Sequence, residues 1–156
     1  MLPGAQHLQN IHPLVIHFPI GLLMGAAFFY FAAWVFKKED FAKTGFWVLL
    51  LGALSLAAAV GTGLYAEQGV MVALDVRQKI LLSHKQYMIV TAVLCAIVTL
   101  WALIQKPFPK KGRIVFLLLF LLMIITITIG ADFGGRLVYE YNAGGSACPQ
   151  PIRLKK

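Results

Sequence analysis

Residues 11–25 read IHPLVIHFPIGLLMG, two histidines and two prolines at the threshold of an apolar run that continues to residue 36. At about 1.5 Å of rise per residue, a helix of that length crosses a hydrocarbon core of roughly 30 Å. Three further runs of similar length follow, at about 45–66, 81–105 and 113–132. Of the 156 residues, 60% are hydrophobic and 13% charged, with a mean hydropathy of +0.79, a balance foreign to an ordinary soluble domain. The fold expected is an all-α membrane protein. It forms an up-down four-helix transmembrane bundle over residues 1–138, followed by a C-terminal arm over 139–156.

The net charge of +8 raises nucleic acid as a partner, but the placement of the cations argues for a lipid bilayer instead. KKEDFAK, between the first and second runs, carries Lys37, Lys38 and Lys43. QKPFPKKGR, between the third and fourth, carries Lys106, Lys110, Lys111 and Arg113. The positive-inside rule puts both loops in the cytoplasm and both termini outside, an N-out, C-out topology. No basic region or small-residue cleavage site precedes the first run, so no removable signal peptide is expected. The connection EQGVMVALDVRQKI, residues 67–80, mixes apolar and charged residues in the manner of a short interfacial helix. Cys95 and Cys148 fall at different depths and are not expected to pair within one chain. There is no C-x-x-C or C-x-x-C-H, no H-E-x-x-H, no phosphate-binding loop and no nucleophile–base pair, so hydrolytic or nucleotide enzymology has no support.

In that topology His12, His17, His84, Asp132 and Arg136 converge on the outer mouth of the bundle. His17 lies four residues past Pro13, about 6 Å deeper along a helix. Pro19 has no N–H and its ring clashes with the Val15 carbonyl, which predicts a kink between residues 15 and 19 or a restart at Pro19. Either outcome frees a carbonyl beside His17 to orient its imidazole. His84 opens the third helix at similar depth, while His12 is expected at the interface as a supporting contact. Two imidazoles facing each other without a third strong ligand at their depth suit the axial positions of a b-type haem better than a tetrahedral zinc site. In the second run, Ala53-Ala57-Gly61 and Ser55-Ala59-Gly63 recur every four residues. That pattern means close helix packing, room for a flat macrocycle, or both on opposite sides, and Gly61 is the residue assigned to the macrocycle. Arg136, with Arg77, Lys79 and Lys85, matches either haem propionates or lipid headgroups.

The function expected is therefore a non-catalytic haem b subunit that moves electrons at the periplasmic side, with His17 and His84 as axial ligands and a periplasmic cytochrome or a quinol as partner. A cofactor-free structural or assembly subunit, within a homo- or hetero-oligomer, is the alternative. A metal or ion carrier built on His12, His17, His84 and Asp132 ranks below both, because LLLFLLMIITITI offers only Thr126 and Thr128 as a polar path.

HPLVIHFPIGLL at the start, the Thr-Gly closing the second run, the histidine opening the third and GADFGGRLVYEYNAGG near the end resemble the DUF2231 family of predicted bacterial membrane proteins. The landmarks run from His12 to Gly144, nearly the whole chain, and His12, Pro13, His17, Pro19, His84, Gly134, Gly135 and Tyr139 match the pattern. The resemblance implies a four-span bundle in the bacterial inner membrane and an association with cytochrome-like and other redox modules. Members often carry acidic residues at the ends of the first two spans. Tyr30 is no equivalent of the first, and Glu67 only approximates the second.

Overall fold

The structure, a computed structural model, describes residues 11–70 and 72–143. All its regular elements are helical: α1 (His12–Val15), α2 (His17–Phe36), α3 (Glu39–Glu67), α4 (Leu74–Val76), a π-helical turn (Arg77–Leu81), α5 (Leu82–Ile104) and α6 (Arg113–Tyr139). α1 with α2, α3, α4 through α5, and α6 form four stretches long and apolar enough to cross a membrane. Helices suit that environment because each satisfies its own backbone polar groups, for which hydrocarbon offers no partner. Trp47, Leu54, Val93 and Leu118 are among the large apolar side chains exposed around the circumference, as lipid contact requires.

The helices end where local chemistry ends them. Lys37 adopts a left-handed conformation and closes α2, and α3 begins at Glu39 with Glu39 and Asp40 at its positive N-terminal pole. The second helix thus starts six residues before the apolar run read at 45, since KKEDFAK continues as helix after Lys38. At the other terminus α6 runs to Tyr139, seven residues beyond the apolar limit at 132, so DFGGRLVY is helical. The interfacial segment expected in the long connection is present only as α4 and the π turn, which lead directly into α5. The arm over 139–156, with Cys148, lies mostly outside the described residues.

Two antiparallel hairpins, α2 with α3 and α5 with α6, are closely packed, whereas the α3–α5 and α2–α6 contacts are sparser. Glycine sets the first hairpin. A Cβ at Gly52 would stand 2.8 Å from Leu23 Cδ2, and one at Gly45 3.3 Å from the Tyr30 ring. The main core fills the half of the bundle next to the two basic loops, around Tyr30, Phe116, Phe120, Met123 and Val98. Tyr30 is fully buried, meets Phe108, Phe116 and Phe120 with ring centroids 5.0–5.4 Å away, and donates to the Pro107 carbonyl at 3.0 Å. A second, smaller cluster of Val76, Ile80, Leu81, Leu137 and Tyr141 folds the α3–α5 connection against the end of α6.

Candidate functional site

At the end of the bundle opposite the basic loops the first span is broken. The backbone of α1 closes with Ile16 N–H to the His12 carbonyl at 3.1 Å, and α2 then begins at His17. Pro19 has no N–H to offer the Val15 carbonyl, and the neighbouring bond, Ile20 N–H to the Ile16 carbonyl, is stretched to 3.4 Å. The break lets the single turn α1 lie against the last turns of α3.

That contact carries His12 into the bundle. Its Nδ1 is 3.1 Å from Thr62 Oγ1, and the Thr62 hydroxyl proton goes to the Ala59 carbonyl at 3.0 Å, so the hydroxyl oxygen accepts from His12. The ring rests on Gly63, where a Cβ would stand 2.9 Å from His12 Cε1. His84 is held in the same way on the other hairpin. Its Nδ1 donates to the Gly130 carbonyl at 2.7 Å, which leaves Nε2 as the acceptor of the neutral ring. It rests on Gly134, where a Cβ would come within 3.0 Å of His84 Cε1. The two rings meet edge to face with centroids 6.4 Å apart.

Between the hairpins, beside this pair, lies a cavity of about 450 Å³ walled almost entirely by apolar groups. Pro13, Ile16 and Pro19 close it on one side, Leu56, Ala59 and Gly63 on the second, Met88 and Ala92 on the third, Ala131 and Gly134 on the fourth. Leu64 of α3 and Ile89 and Val93 of α5 also line it while being exposed, so the cavity opens sideways between α3 and α5, toward lipid. Glu67 and Lys85 stand at its rim, joined at 2.8 Å. A volume of several hundred Å³ with few convergent polar groups is the usual form of a small-molecule site.

Of the residues singled out in the sequence, His12 and His84 are brought together. His17, expected opposite His84, is exposed and does not line the cavity. Gly61 is exposed with nothing within 4 Å of a Cβ there, and the glycine under an imidazole is Gly63. Arg136 pairs with Glu140 at 3.2 Å along α6, lies over the Phe133 ring, and does not line the cavity; Asp132 is exposed. Gly130 and Thr62, which orient the two rings, carried no site role in the sequence. The signal for Gly130 is its four-residue spacing from Gly134, a close-packing pattern on the helix that holds His84.

These features define an all-helical membrane protein with a histidine-walled apolar cavity at one end of a four-span bundle. The family model described as DUF2231, predicted membrane protein, matches residues 8–147, and the chain belongs to that family. Neither a curated protein nor a solved structure matches the chain.

Proposed function

We propose that the chain is an electron-transfer subunit in which His12 and His84 hold a b-type haem. The supporting observation is the pair itself, with centroids 6.4 Å apart and each imidazole presented by a different hairpin. If a haem entered here, His12 from one hairpin and His84 from the other would be the residues that hold its iron. α1 and α3 carry one ring and α5 and α6 the other, and the apolar cavity between the hairpins beside them would take the apolar body of the group.

Bound there, a haem supplies one-electron redox chemistry at its iron. The chain's own residues do the rest. Gly63 and Gly134 let the rings sit close to the helices, and the Gly130 carbonyl holds the His84 Nδ1 proton so that Nε2 would be free to hold the iron. Thr62 and Ala59 fix the His12 ring. With the two basic loops cytoplasmic, the pair lies on the periplasmic side of a bacterial inner membrane. A periplasmic cytochrome or a quinol then exchanges electrons at that side.

The test is a visible spectrum of the purified full chain in detergent after haemin addition. A sharp Soret band with a low-spin, two-histidine signature is expected, lost in H12A and in H84A and retained in H17A. A colourless wild type overturns the reading, and loss of the band in H17A but not H12A restores the ligand choice made from sequence.

A further inference from the structure

Glu67 and Lys85 are the only formally charged residues among the described residues lining the cavity. Glu67 ends α3, and Lys85 lies in the first turn of α5, directly after His84. Their ion pair, Lys85 Nζ to Glu67 Oε2 at 2.8 Å, bridges two helices that otherwise touch little, across the lateral opening of the cavity. The side chains remain 39% and 29% exposed. Both side chains are long and flexible and sit at helix ends, so the lysine can exchange one carboxylate for another without losing an ion pair. The neighbouring guanidinium groups are committed elsewhere, Arg136 to Glu140 and Arg77 to the Val70 carbonyl at 3.0 Å, and neither lines the cavity.

We propose that Lys85 is the carboxylate-binding group of this cavity and that Glu67 holds it in place until an acidic ligand displaces the glutamate. The site then selects a flat apolar body that carries a carboxylate on the edge nearest the α3–α5 rim. The proposal rests on the haem reading, in which that carboxylate is a propionate. The cavity walls recognise the apolar body, the imidazoles hold its centre, and Lys85 fixes which edge faces the rim. Charge-assisted hydrogen bonds from an ammonium to a carboxylate are among the stronger polar contacts available at a half-dry boundary.

The experiment compares haemin with its dimethyl ester, whose propionates are blocked, by titrating each into the purified full chain in detergent and following the two-histidine spectrum. Wild type is expected to bind haemin at least tenfold tighter than the ester. In K85Q haemin should fall to the level of the ester while ester affinity stays unchanged, which also reports that the variant is folded. E67Q, which frees Lys85 without removing it, should tighten haemin a few-fold. Equal binding of haemin and ester to wild type, or an unchanged haemin affinity in both variants, overturns the role of Lys85 and leaves the haem reading standing. Binding of neither probe overturns both.

Discussion

The two ends of the bundle are built on opposite principles. Next to the basic loops, Tyr30, Phe108, Phe116 and Phe120 interlock as mutually contacting rings, with Met123 and Val98 closing the gaps. At the histidine end the hairpins part around a cavity, glycines replace side chains, and polar contacts are few and directional. Dense packing ties all four helices together at one end, so the other can leave space and hold two imidazoles in fixed orientation. On the proposed haem reading, stability belongs to the first region and ligand binding to the second, and substitutions in each should show one effect without the other.

The largest effect is expected from Tyr30→Ala. Removing a fully buried aromatic costs about 3–5 kcal/mol in a close-packed core. Thermal unfolding in detergent should shift down sharply, while the fraction that remains folded still gives the two-histidine spectrum with haemin. Loss of the spectrum in that folded fraction would show the two ends to be one cooperative unit. Next in size are Gly63→Ala and Gly134→Ala, whose new methyl groups meet His12 and His84 at 2.9 Å and 3.0 Å. Each should weaken haemin binding by about tenfold or more, the equivalent of about 1.4 kcal/mol, with little change in melting. Gly61→Ala is the control within the same helix: nothing lies within 4 Å of the added Cβ, so affinity should not move. An equal loss in Gly61→Ala would mean that the glycines matter for helix flexibility and not for seating the rings.

The four spans are legible in the sequence because lipid contact makes hydropathy nearly one-dimensional: a long apolar run is a helix that crosses. Their ends are less so, since Glu39 and Asp40 at one helix start and Gly134 and Gly135 near another helix end are helical although they lie outside the apolar runs. Which histidines come together is less legible still. His12 lies in α1 and His17 in α2, on opposite sides of the break, and of the two only His12 lines the cavity. Reading depth alone favoured His17. The packing of α1 on α3, set by the proline break and the small face of α3, selects His12. Gly61 and Gly63 repeat the same lesson at about 200° apart, nearly opposite faces of α3. Which face meets a partner is decided by contacts between residues some fifty positions apart, as in His12 with Thr62, and a single chain's periodicity does not specify them.

The smallest expected effect distinguishes orientation from mere proximity at the histidine end. Thr62→Val keeps the branched shape of the side chain but removes the oxygen 3.1 Å from His12 Nδ1. The hydrogen bond it deletes contributes about 0.5–1.5 kcal/mol net, so haemin should bind roughly three- to tenfold more weakly, with melting almost unchanged. The Ala59 carbonyl loses its bond from the Thr62 hydroxyl as well. A hydroxyl that only fills space would give no change in affinity, and the His12 ring would then be seated by its packing on Gly63. A loss confined to affinity instead places Thr62 with the Gly130 carbonyl as one of two matched anchors, one on each hairpin, that fix the imidazoles across the cavity.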